Sequence, residues 1–298
     1  MSQDLRPVAA SAISFADAEF CTAVLVQNNP GAAVPVLPYD LGMPIPELLN
    51  PAFAPAGASA MSPLDQARNR LIVALDVPDA ATAAALVTRL EHTCQWFKVG
   101  LELFVAAGPA VLEPLLKLGH SVFLDLKFHD IPNTVAGAVR SAAALGVRMI
   151  TVHAGGGPAM LAAARTALEG LTNPPQLLAV TLLTSMDAAQ VDAIGLDHTP
   201  ATQVELLARM GLAEGIRGFV CSPHEVAKLR ELTGPEGVLV TPGIRPLGAN
   251  LLDQKRIATP AEALRRGASF LVVGRPITQA ADPAAAAEAI LKEMAEAL

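Results

Sequence analysis

The sequence predicts a (β/α)₈ barrel of the TIM type over residues 61–298, and three observations predict it. From Leu71 onward, short runs rich in Val, Ile, Leu and Phe alternate about eight times with Ala-rich stretches of helical period, the pattern of βα units around a parallel sheet. The stretch from Met61 to the end suits a closed barrel, which needs ~250 residues or slightly fewer. Charged residues recur just where these runs end, and in α/β folds the carboxyl ends of strands are where ligands bind.

The strands are expected near 71–76, 95–99, 121–126, 148–153, 177–182, 217–221, 237–241 and 270–273. The first, Leu71-Ile-Val-Ala-Leu-Asp76, ends in a carboxylate. The second, Gln95-Trp-Phe-Lys-Val-Gly100, embeds Lys98 in an apolar run. An unpaired buried ammonium is prohibitively costly, so Lys98 requires carboxylates, and Asp76 and Asp125 stand at equivalent ends of other strands. The third run, Val122-Phe-Leu, leads into Asp125-Leu-Lys-Phe-His-Asp-Ile-Pro-Asn-Thr134. Asp125 and Lys127 are two apart and share a strand face, while Pro132-Asn-Thr reads as loop turning into helix. Alone, this pattern is as compatible with a solvated rim salt bridge as with catalysis. Lys98 tips the balance towards an alternating Asp/Lys network inside a pocket.

The fourth strand ends at His153, which either faces the pocket or packs in the barrel's upper layer with one hydrogen bond; His129 is given no role. After the fifth, Thr184 and Ser185 offer hydroxyl or backbone contacts, or serve as helix caps. The sixth rests on its apolar content alone. The seventh ends in Thr241-Pro-Gly-Ile-Arg245 and the eighth in Val273-Gly274-Arg275. Glycine admits close backbone approach and Arg presents a fork of donors suited to phosphate; loops after strands seven and eight form a frequent phosphate site in this architecture. Between them, Pro246 to Arg256 is long enough for a lid, on which Gln254 can meet a ligand.

Bulk properties exclude several classes. Apolar residues make up 52% of the chain, yet no uninterrupted apolar stretch approaches the ~20 residues of a membrane helix. The net charge of −7, without a Lys/Arg cluster, argues against nucleic acid as a partner. Cys21, Cys94 and Cys221 are too widely spaced for a disulfide framework or a zinc site, which suits a reducing cytoplasm. No His/Asp/Glu grouping has metal-ligand spacing, and no Gly-x-Gly-x-x-Gly follows the first strand. Residues 1–60 carry prolines at 7, 30, 35, 38, 44, 46, 51 and 55 and a single basic residue, Arg6. They read as a disordered extension or as a start placed too far upstream, the second being preferred because Met61 leads directly into the first strand.

Together these motifs resemble the orotidine 5′-phosphate decarboxylase family in its bacterial form, over about residues 68–298. The resemblance rests on Leu-Asp-Val at Asp76, Phe-Lys-Val-Gly at Lys98, the whole stretch 125–134, Leu-Thr-Ser at Thr184, Thr-Pro-Gly-Ile-Arg-Pro at Arg245, Asp-Gln-Lys-Arg at Gln254 and Val-Gly-Arg-Pro at Arg275. Residues 1–60 have no counterpart. The resemblance implies conversion of orotidine monophosphate to uridine monophosphate in pyrimidine synthesis, without cofactor or metal. It implies Lys127 as proton donor, Asp125 as its charged neighbour, Lys98 as the link to ribose and Asp76 as a contact to ribose or pyrimidine. A homodimer is implied, with Asp130, Ile131 and Thr134 reaching into the partner's pocket. Arg245, Gly274 and Arg275 would hold phosphate; Gln254 and Thr184 or Ser185 would meet the pyrimidine. Two rivals remain: a magnesium-dependent sugar-phosphate decarboxylase or aldolase on the same barrel, which should add an acidic ligand on strand two, and a nucleotide-binding protein that has lost its chemistry.

Overall fold

The computed structural model describes residues 61–246 and 256–298; the expectations for 1–60, for Cys21 and for Gln254 lie outside the described residues. Eight parallel strands close into a barrel in sequence order: β1 Leu71–Ala74, β2 Trp96–Gly100, β3 Ser121–Phe128, β4 Met149–His153, β5 Gln176–Val180, β6 Gly218–Val220, β7 Val238–Thr241 and β8 Phe270–Val273. β1 pairs with β8, Leu71 opposite Leu271, which completes the ring. The strands expected from apolar runs are all present. Several are shorter than expected, because Asp76 and Leu182 belong to the loops that follow.

Strand period sorts the core into two layers. Ile72, Ala74, Trp96, Phe123, Met149, Leu178, Val238, Val240, Phe270 and Val272 form one buried cluster, the filling of the barrel. Their neighbours Leu71, Val73, Phe97, Val99, Val122, Leu124, Ile150, Val152, Leu239 and Leu271 belong to a second cluster, against the helices. Trp96 and Phe270 meet edge to face inside the barrel at 5.2 Å.

Helices follow the strands and start where the sequence supplies a cap. Asp79 accepts from the Thr82 amide at 2.7 Å and opens Ala80–Leu90; Thr259 with Glu262 makes a capping box for Pro260–Arg265. Proline at the first turn of Pro132–Ala144, Pro200–Ala213 and Pro283–Ala295 presets the backbone. Pro63–Arg68 packs on Pro283–Ala295, so the helical ring also meets itself. Among the described residues, no helix is long and apolar enough to cross a membrane.

Candidate active site

The inward register of the strands, continued upwards, delivers charge to the barrel mouth. Ile72 and Ala74 lead to Asp76, Trp96 to Lys98, and Phe123 to Asp125. Lys98 Nζ donates to Asp76 Oδ1 at 2.8 Å and stands 3.7 Å from Asp125 Oδ2. Lys127 Nζ donates to both Asp125 oxygens at 2.9 Å. The array therefore runs Asp76, Lys98, Asp125, Lys127 with alternating sign. Lys98 and Asp125 are each only 8% exposed, and a buried charge is tolerated only beside its opposite. Lys98 thus lies beside Asp76 and Asp125, the carboxylates expected for it. Gly100 makes room for this: a Cβ there would lie 2.8 Å from Lys98 Nζ and 3.2 Å from Asp76 Oδ1.

Lys127 converges on Asp125 by a route that plain alternation does not predict. Phe123 pairs with Met149, Leu124 with Ile150, and then Phe128 with Val152. Three residues of β3, Asp125 to Lys127, thus face the single Thr151 of β4, a bulge in the ladder. Lys127 has φ +50°, the one positive φ outside glycine among the described residues. This left-handed backbone is uncommon for a side chain as long as lysine. Thr151, fully buried, accepts the Lys127 amide at 2.9 Å and donates to Asp125 Oδ1 at 3.0 Å. Sequence reasoning missed Thr151, since a threonine within Met-Ile-Thr-Val-His reads as β-branched strand filler.

His153 is half-buried at the end of β4. Its Nδ1 accepts the Gly155 amide at 3.2 Å, and its ring stacks on His129 at 5.1 Å and 12°. Burial, then His129, then Lys127 hold its pKa below the ordinary histidine value.

Asp130, Ile131 and Thr134 lie past the end of β3 and are exposed, Ile131 by 67%. Asp130 Oδ1 accepts the Ile131 amide at 2.6 Å, and no described ion pair joins Asp130 to the array. Beside them a cavity of about 330 Å³ is lined by Lys127, His129, Asp130 and Thr134.

Across the mouth, Arg245 is 7% exposed and its Nη1 donates to the Ile244 carbonyl at 2.8 Å. Its Nε has no hydrogen-bond partner among the described residues. Burial first, and the positive Arg275 second, lower its pKa. Two guanidiniums that repel each other, one with a buried idle donor, form a place that an anion would relieve. Arg275 begins the short helix Arg275–Thr278, directly after Gly274. Thr184 is half-buried and Ser185 exposed after β5. Neither caps the next helix, Ala188–Ala193, which Asp187 caps instead.

A second charged pair escaped sequence reasoning. Arg256 forms an ion pair with Glu225 and donates to the Leu183 carbonyl at 3.0 Å and the Thr184 carbonyl at 3.4 Å. Glu225 Oε2 accepts the Ser222 amide at 2.8 Å. The loops after β5 and β6 are thereby tied to the residue that follows 247–255. In sequence the available signal, Ser222-x-x-Glu225, has the spacing of a helix cap, which hides the pair.

Residues 69–290 match the model of the orotidine 5′-phosphate decarboxylase / HUMPS family. The chain belongs to this family. Its relatives include the orotidine 5′-phosphate decarboxylase of Moorella thermoacetica, 52% identical over 234 residues that span 76% of this chain and 93% of that protein. That of Halorhodospira halophila is 54% identical over 228 residues, 76% of this chain and 97% of the relative. Among solved structures, orotidine 5′-phosphate decarboxylase from Lactobacillus acidophilus superposes with a TM-score of 0.67 at 43% identity, covering 76% of this chain and 98% of that one. The Asp76–Lys98–Asp125–Lys127 array and both arginines lie within the span matched to the orotidine 5′-phosphate decarboxylase / HUMPS family.

Proposed function

We propose that this chain decarboxylates orotidine 5′-monophosphate to uridine 5′-monophosphate in the cytoplasm, with its own side chains supplying the chemistry and no metal or cofactor. The observation that carries this reading is the alternating four-charge array, with Lys127 at its outer end and an arginine pair across the mouth to take the phosphate. Breaking the bond from C6 to the carboxylate releases carbon dioxide and leaves the electron pair on C6, in the ring plane, where the π system cannot absorb it. Stabilisation must then come from fixed charge close to C6. An ammonium already aimed by Asp125 needs no reorientation as negative charge develops, and exclusion of water by the ligand strengthens its field. Lys127 then delivers a proton from Nζ to C6, and solvent restores it.

Lys98 and Asp76 are assigned to the ribose hydroxyls, as donor and acceptor. Binding energy from the remote phosphate on Arg245, Gly274 and Arg275 is available to hold the reacting ring in place; Gln254 and Thr184 or Ser185 are assigned to the pyrimidine. Asp130, Ile131 and Thr134 are exposed past the end of β3, and the exposed Ile131 suits burial in a second subunit. We assign them to the partner's pocket in a homodimer.

The magnesium rival within the same family asks for an acidic ligand on the second strand. That strand carries Lys98, and Glu102 is exposed on the helix Leu101–Ala107. Loss of orotidine monophosphate absorbance in excess chelator tests the point: full turnover is expected, whereas turnover abolished by chelator and restored by magnesium would overturn the reading.

A further inference from the structure

We infer that Thr151 is a positioning residue for the proposed reaction, its hydroxyl fixing the backbone and the carboxylate that together aim Lys127. The inference rests on the assignment of Lys127 as proton donor.

The hydrogen-bond polarity at Thr151 is fully determined. An amide can only donate and a carboxylate can only accept, so the hydroxyl takes the Lys127 N–H at 2.9 Å and spends its single proton on Asp125 Oδ1 at 3.0 Å. One buried oxygen therefore reads both ends of the Asp125–Lys127 pair. It stands where β4 has one residue for three on β3, so the Lys127 amide, turned by φ +50°, finds a side chain in place of a ladder carbonyl. Without the hydroxyl that part-buried amide loses its acceptor, and the left-handed backbone at Lys127 loses a tie. Asp125 Oδ1 also loses a donor that fixes its rotation, and Lys127 Nζ is aimed by both Asp125 oxygens. The β-branch of threonine stiffens χ1, which keeps the oxygen on this line.

The test compares Thr151→Val, of nearly the same shape, with Thr151→Ser, which keeps the hydroxyl, in the full-length chain. Steady-state decarboxylation gives kcat and KM, and calorimetry gives affinity for uridine monophosphate. Thr151→Val is expected to lower kcat by about 10–100-fold, the usual cost of misplacing a reacting group by about an ångström, with KM and product affinity retained. Thr151→Ser is expected to recover most of kcat. Unchanged kcat in Thr151→Val, a rise in KM alone, or an equal fall in Thr151→Ser would each overturn the inference. Should Thr151→Val not fold, Thr151→Ala deletes the same oxygen and carries the comparison. Lys127→Ala, run alongside, separates the two levels. Its collapse beside a fully active Thr151→Val sinks Thr151 alone, while near-normal turnover in Lys127→Ala removes the reading beneath it.

Discussion

Gly100 offers a way to move one charge of the array without deleting any. An alanine there would place its Cβ 2.8 Å from Lys98 Nζ; with a comfortable contact of about 3.5 Å, the ammonium must retreat by roughly 0.7 Å. The Lys98–Asp76 bond, 2.8 Å at present, is the one placed to lengthen, since Asp76 Oδ1 also lies 3.2 Å from the new methyl. The backbone itself accepts alanine, because φ at Gly100 is −101°. Reduced freedom of the unfolded chain favours the variant by about 0.4–1 kcal/mol, and alanine is a poorer cap than glycine for Leu101–Ala107 by a comparable amount. Stability should therefore change by less than about 1 kcal/mol, whereas kcat/KM should fall by about 10–100-fold. Thermal unfolding and the spectrophotometric assay on the same preparation read both quantities. Wild-type kcat/KM in Gly100→Ala would refute the claim that the spacing of Lys98 and Asp76 matters, and a large loss of stability would refute the claim that only the far end of Lys98 is disturbed.

Other expectations follow from the same geometry. Arg275→Ala should raise KM by about 10–100-fold, the worth of charged hydrogen bonds to phosphate, with a smaller effect on binding of a nucleoside that lacks phosphate; equal losses for both ligands would contradict the phosphate assignment. Inactive Lys127→Ala and Asp130→Asn chains, unfolded and refolded together, should regain activity, because a mixed dimer contains one site with Lys127 from one subunit and Asp130 from the other; no recovery would place Asp130 in its own chain's site. His120 is 7% exposed with neither ring nitrogen hydrogen-bonded among the described residues, and burial lowers its pKa despite the opposing charge of Glu91. The unfolded chain then binds the proton more readily, so stability should fall as pH drops below the ordinary value of about 6.5, by at most about 1.4 kcal/mol per pH unit from this group. His120→Phe should flatten that slope in denaturant titrations across pH 5–7, and an unaltered slope would remove His120 as its source.

The barrel was legible because apolar runs of strand length recur about eight times between helix-period stretches, a count that favours a closed barrel over an open sheet. Lys98 was legible for a different reason: an ammonium inside an apolar strand names its partners by its cost, and only strand-end carboxylates were within reach. Lys127 does meet Asp125, but the argument that brought them together was incomplete. Alternation assumes an unbroken ladder, but the bulge at Asp125–Lys127 and the positive φ depend on the register of β4, which local sequence does not carry. Thr151 was invisible for the same reason, its role being set by what β3 does opposite it. The Glu225–Arg256 pair joins residues on separate loops, so spacing along the chain says nothing of it. Asp130 shows a further limit: it was named by resemblance alone, and among the described residues its carboxylate meets the neighbouring Ile131 amide and forms no ion pair with the array.

In the proposed reaction Lys127 performs the chemistry while the rest of the site holds the nucleotide. Lys127→Ala tests this division most directly, with turnover of orotidine monophosphate and calorimetric binding of uridine monophosphate measured on one preparation. Uridine monophosphate should still bind, while kcat should fall by at least about a thousandfold, in the range of a lost proton donor and its charge. Turnover near that of the unaltered chain would contradict it.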